Sequence, residues 1–281
     1  FHQIEPKFFE KSISLLTKVY ELVSLDDLIF RLKARENIKN QFAITFDDGW
    51  KSTCEPIART AKMHNWPITI YVPTHILEND KTMWFAHHDA LFRFCLNNKL
   101  KIEKYNLDFS TNNSAIKSRQ SITNQLIFSN YDKSIGIIKD ISKNAGFNLD
   151  LNNRYFINKK FIKNFSKDVI IRFGSHTQTH QAISSMNEIQ IEKELLMSKN
   201  ILEDIVDYPI NHFCYPFGQS DHIGDISFDL LKKYYLSATT MYRAKIKNNS
   251  NLYFLPRIPV YNNDTIFRIF IKILLSNNNL K

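Results

Sequence analysis

The sequence predicts one α/β barrel or barrel-like parallel sheet, interrupted once. Short apolar runs alternate with stretches of helical spacing toward both ends of the chain, the pattern of βαβ units. Several apolar runs end in chemically capable residues, as strands of such folds do at their carboxyl ends. Between residues 97 and 166 the alternation gives way to an Asn-, Lys- and Ser-rich stretch of weaker helical segments. A chain of 281 residues can bury a sizeable core, and a single domain over 1–281 with a mostly helical insertion at 97–166 accounts for the pattern.

The elements follow in order. FFEKSISLLTKVY at 8–20 has helical apolar spacing, and ELVSLDDLIFRL adds an extended piece and a second helix. FAITF at 42–46 reads as a buried strand running into Asp47, Asp48 and Gly49. KSTCEPIARTAKMHN is helical and PITIYV extended, which completes a βαβ unit. Within the insertion, 115–128 and 133–145 are helical, and STNNSA before them is expected to be mobile. DVIIRF resumes the strands. SMNEIQIEKELLMSKNILEDIV is a helix, with Ser185 and Glu188 at capping-box spacing. NHFCYPFG is a strand running into a turn, FDLLKKYY is helical, and LSATT and YFLPRIPV are extended. TIFRIFIKILL forms a short apolar helix, either docked on the core or in contact with a membrane surface.

Composition narrows the function classes. The chain is 43% hydrophobic and 23% charged, an ordinary globular balance. A net charge of +9 by itself favours anionic partners, whether polyanionic glycans, nucleic acid or acidic lipid head groups, unless it only reflects a Lys- and Asn-rich background. Nucleic acid is not among the expected partners. Three dispersed cysteines form no CxxC, which argues against a disulfide framework and fits a reducing compartment. A cytoplasmic or membrane-associated location is slightly favoured, with the cell envelope open. No apolar run approaches the ~18 residues of a membrane span.

The chemistry sits at three strand ends: Asp47 and Asp48, then His176 and His180 in SHTQTH, then Tyr215 and Pro216 in YPFG. Two histidines four apart can face one point, and one carboxylate completes a three-ligand set that leaves a position for water. A metal lowers the pKa of such a water from about 16 toward about 7. Hydrolysis then needs a second carboxylate as proton acceptor, and adjacent aspartates before a turn-forming glycine can supply both. Taken singly, Asp-Asp-Gly is also ordinary turn chemistry, and the histidines could be a cap and a surface residue.

TFDDG at 45–49, SHTQTH at 175–180 and FCYPFG at 213–218 resemble, in order and setting, the motifs of the polysaccharide deacetylase family, carbohydrate esterase family four with its NodB-like domain. The likeness, to a YPFG-type subfamily, covers roughly residues 8–85 and 168–260. It implies a distorted (β/α)7 barrel that removes N-acetyl groups from amino sugars with a divalent metal, usually zinc. By position, Asp47 resembles the general base, Asp48, His176 and His180 the metal ligands, and the Tyr215 backbone N–H the oxyanion donor. Two features depart from the family. The third motif lacks its usual Arg, for which Arg257 in FLPRIPV could substitute, and no LxH motif supplies a general acid. His75, His87, His88 or a metal-bound water are the alternatives for that acid, as is a subfamily that does without one. His87 and His88 otherwise read as helix-surface residues, and Trp84 as either a cleft wall or core. The implied substrate is an N-acetylated glycan, anionic or lipid-linked given the charge, with peripheral membrane contact as a further expectation. An inactive glycan-binding relative and a cyclic-amide hydrolase of the same fold are the competing readings.

Overall fold

The structure, a computed structural model, describes residues 4–78, 82–150, 155–226, 228–261 and 263–276. The first half runs α1 (Pro6–Leu16), β1 (Glu21–Leu22), α2 (Leu25–Lys33), β2 (Gln41–Phe42), β3 (Ile44–Phe46), α3 (Lys51–His64), β4 (Ile68–Val72) and α4 (Trp84–Asn97). Residues 97–166 contribute β5 (Lys101–Ile102), β6 (Leu107–Asp108), α5 (Asn112–Ile127), α6 (Tyr131–Ala145) and α7 (Lys159–Phe165). The chain then continues through β7 (Ile171–Ser175), α8 (Glu188–Glu203), β8 (His212–Cys214), α9 (Ser220–Ile223), α10 (Phe228–Tyr234), β9 (Ser237–Thr239) and α11 (Ile266–Leu275).

Five parallel strands in the order β3-β4-β7-β8-β9 curl into a half-barrel, and β1 pairs with β2 as a separate parallel ribbon. β4 is central and buried at every position, as a parallel strand covered on both faces must be. FAITF is different: it divides at Ala43 into β2 and β3, and β3 is only half-buried because it lies at the sheet edge. YFLPRIPV also differs from expectation. Only Leu255 bridges to the sheet, opposite Thr239, since Pro256 and Pro259 have no N–H for a ladder. Its Arg257 spans the open seam of the half-barrel instead, bonding to Thr45 and Asp47 beside β3.

The main cluster joins α1, α3, the sheet, α8 and the inner side of α11. A second cluster forms among α4, the β5–β6 hairpin, α5 and α6, while Phe161 and Ile162 of α7 belong to the first. Within STNNSA, Thr111 and Ser114 close a capping box that starts α5. The box at α8 moves. Asn187 and Gln190 form it, while Ser185 lies in a tight turn and donates its hydroxyl to Ala182 O. His87 and His88 are buried rather than on the helix surface, because the second cluster covers α4. Trp84 is buried too, with its ring 6.2 Å from Phe217. At the opposite end of the strands, His212 joins the Ser237 hydroxyl (2.9 Å) to Asp26 of α2 (3.1 Å). Ser237 is fully buried, so this Ser–His–Asp string pins α2 to the barrel wall and offers no nucleophile.

Candidate active site

The three motifs leave the sheet at the same end of the strands, after β3, β7 and β8, with β4 between the first two. Each turn takes left-handed backbone: Asp48 (φ 68°) and Gly49 (φ 70°), Thr177 (φ 63°) and His180 (φ 55°), Phe217 (φ 60°) and Gly218 (φ 58°). For non-glycine residues this costs on the order of 1 kcal/mol or more each, and such strain persists where surrounding bonds over-determine it. The histidine turn is held in this way. Thr177 Oγ1 accepts from His180 N–H at 3.0 Å. Glu194 of α8 accepts from the backbone N–H groups of Gln178 (2.7 Å) and Thr179 (2.9 Å), and from the Thr179 hydroxyl (2.8 Å). Glu194 was missed by the sequence reading. Its signal was a carboxylate on the inward face of a helix, in line with Ile191, Leu195 and Ser198.

Asp48 Oδ1 lies 3.4 Å from His176 Nε2 and 3.2 Å from His180 Nε2. Tetrahedral coordination with bonds of about 2.0–2.1 Å separates ligand atoms by roughly 3.3 Å, so these three groups fit a divalent cation. Both histidines are buried, and His176 Nδ1 donates to Cys214 O at 2.7 Å, leaving Nε2 as the ligand atom. Burial opposes the Asp48 charge, but hydrogen bonding from both histidines outweighs it and holds the carboxyl well below the usual range. Burial also opposes a charged His176, yet Cys214 and Asp48 beside it raise its pKa, whereas burial lowers that of His180. The Phe85 and Phe217 rings stand 4.8 and 4.7 Å from the His180 ring. Trp50 Nε1 donates to Asp48 Oδ2 at 3.3 Å, another contact not anticipated from sequence.

Asp47, next in the chain, has different partners. Arg257 grips it through two bonds of 2.7 Å, and Arg257 Nε is anchored on Thr240 O at 2.8 Å. Burial raises the Asp47 pKa, but the charge and hydrogen bonds of Arg257 more than offset this, so it lies below its ordinary value. Asp47, His176 and Cys214 also cluster, but the Arg257 guanidinium, 3.1 Å from Cys214 Sγ, makes that spot hostile to a cation. The two adjacent carboxylates are thus sorted: one faces imidazoles, the other a guanidinium.

Tyr215 does not present a free backbone donor. Its N–H bonds Thr239 O at 3.1 Å as part of the β8–β9 pairing, and its hydroxyl bonds Tyr253 O at 2.8 Å. Two residues on, the Phe217 N–H donates to no acceptor among the described residues. Of the histidines considered as proton donors, His88 lines a small apolar cavity inside the second cluster. His75 packs against Tyr131 with ring centres 4.1 Å apart and lies 4.0 Å from a Glu78 oxygen.

A family model described as polysaccharide deacetylase matches residues 34–225, more than half of the chain. Among solved structures, the fold is similar to a Streptococcus pyogenes deacetylase, PplD, in complex with acetate, with TM-score 0.63 and 14% identity over 96% of this chain and 87% of that one. It is also similar to the putative polysaccharide deacetylase BA0330 of Bacillus anthracis, with TM-score 0.59 and 17% identity over 96% of this chain and 62% of that one. BC0361, a polysaccharide deacetylase of Bacillus cereus, gives TM-score 0.60 and 17% identity over 96% and 61%. The chain thus spans about three fifths of the two Bacillus proteins. No curated protein sequence matches.

Proposed function

The chain belongs to the polysaccharide deacetylase family and is a hydrolase of amide carbon–nitrogen bonds, and from that premise we propose that it removes the N-acetyl group of an amino sugar in a polysaccharide or lipid-linked glycan, with Asp48, His176 and His180 holding a zinc ion. The observation that carries this reading is the sorting of the two aspartates between imidazoles and a guanidinium. When bound, the cation polarises the acetamide carbonyl and acidifies water beside it. Asp47 accepts the proton of the attacking water. Its low pKa keeps it ionised at neutral pH, and the Arg257 clamp fixes its direction. The unengaged Phe217 N–H, rather than that of Tyr215, donates to the oxyanion, a contribution on the order of 3 kcal/mol. Phe85 and Phe217 give the acetyl methyl an apolar wall against His180. In this YPFG-type arrangement, Cys214 stands at the head of the third motif and Arg257 reaches its thiol from another segment. The net charge of +9 suits an anionic glycan.

Acetate release from an N-acetylglucosamine oligomer, measured with metal content by elemental analysis, tests the roles. Asp47→Asn is expected to keep the metal and lose release by at least about 100-fold. His176→Ala is expected to lose the metal. Full turnover by Asp47→Asn would refute the base assignment, and a metal-free but active wild type would refute the metal site.

A further inference from the structure

α11 has two apolar faces, and the fold covers only one. Ile269 is buried, and Phe270 and Ile273 pack on the main cluster. The other side carries Phe267, Ile271, Leu274 and Leu275, positions that share one helical stripe. Phe267 is 73% exposed, Leu274 63% and Leu275 69%. Single exposed apolar side chains need no explanation, but a contiguous stripe on one helix marks a binding surface.

The surroundings indicate the partner. Arg268 is exposed on the same helix. The segment carrying Arg243, Lys245 and Lys247 is tied to the helix end, where Lys245 N–H bonds Ser276 O at 3.3 Å. Lys272 is neutralised by the buried Asp264 and stacks 4.6 Å from the half-exposed Tyr261 ring. Aromatic and aliphatic groups with basic residues beside them, none in a salt bridge among the described residues except Lys272, match an anionic lipid surface, where apolar burial and charge attraction add. A second copy of the chain fits worse, because a symmetric pairing of this patch sets Arg268 and its basic neighbours against their own copies. No helix among the described residues is long and apolar enough to cross a membrane, so the contact is interfacial.

We propose that the outer face of α11, with the adjoining Arg243–Lys247 segment, docks this protein on the surface of an anionic membrane. The position is useful to the enzyme. Lys272 bonds Pro259 O at 2.9 Å, two residues from Arg257, so the docked helix braces the segment that holds Asp47. A lipid-linked glycan would then meet the cleft from a fixed surface, although docking does not depend on the proposed deacetylation.

Co-sedimentation of the full chain with vesicles of phosphatidylcholine alone, or with about one third phosphatidylglycerol, tests this. Binding is expected to rise at least about tenfold with the anionic lipid and to collapse in high salt. The triple variant Phe267→Ser, Leu274→Ser, Leu275→Ser should lose it, and Arg268→Glu should weaken it, both with unchanged acetate release from a soluble oligomer. Equal sedimentation with both vesicle types, or undiminished binding by the triple variant, overturns the proposal. So does a wild-type dimer that the triple variant converts to monomer while neither binds vesicles.

Discussion

Arg257 and Glu194 act on the site through other residues, and each has a distinct signature. Arg257→Gln removes both bonds that hold the Asp47 charge and leaves a half-buried carboxylate without its counter-charge. Asp47 is depressed in the folded protein, so its basic form is present above that low pKa. Losing Arg257 raises the pKa, and the acid limb of the pH–rate profile should move upward while turnover falls on the order of 100-fold. Arg257→Lys keeps the charge but not the fork, so it should recover only part of the rate. An unchanged profile in Arg257→Gln would mean that Asp47 is not the group reporting on catalysis. Glu194→Ala instead releases two backbone N–H groups of the histidine turn. Metal affinity, measured by chelator competition, should fall about 10- to 100-fold, with little loss of rate once the site is saturated. Both residues lie outside the three motifs, which is why a local reading gave Arg257 only as a substitute and missed Glu194.

At the scale of elements, α4 makes a testable statement about pH. His88 sits within the second cluster, where burial and the nearby Arg119 push its pKa down to about 4, and burial does the same to His87. An unfolded histidine titrates near 6.5. Between these values the unfolded state binds more protons, so stability is fully present above pH 6.5 and is lost as pH falls toward 4. For His88 the loss is on the order of 3 kcal/mol. Thermal melts between pH 7 and 4 should show this decline, and His88→Leu should make it shallower, leaving the part that His87 contributes. An equally steep decline in that variant would locate the titration elsewhere. The helix itself was visible in the sequence, but its covered side was not. The apolar stripe of α4 needs the β5–β6 hairpin, α5 and α6 to bury it, and only tertiary contact puts them there.

For the whole molecule, a cation held as proposed by Asp48, His176 and His180 would be a structural tie as well as a reagent, because those residues come from two strand ends that an unfolded chain cannot assemble. A ligand that binds only the folded state at about 100 times its dissociation constant adds ~2.7 kcal/mol. Stripping the metal should therefore lower the melting temperature by roughly 5 °C or more, and Asp48→Asn should abolish that difference. Identical melts with and without chelator would argue against the tie. The alternation of strands and helices and the three motif-bearing strand ends were legible from sequence, because each rests on contacts within a few residues or on a repeating period. The partners were not. Arg257 meets Asp47 across 210 residues, Thr239 takes the Tyr215 N–H while that of Phe217 meets no acceptor among the described residues, and the main core claims one face of α11 but not the other. Such choices depend on which surfaces the folded chain brings within hydrogen-bond or van der Waals reach, and no local pattern encodes them.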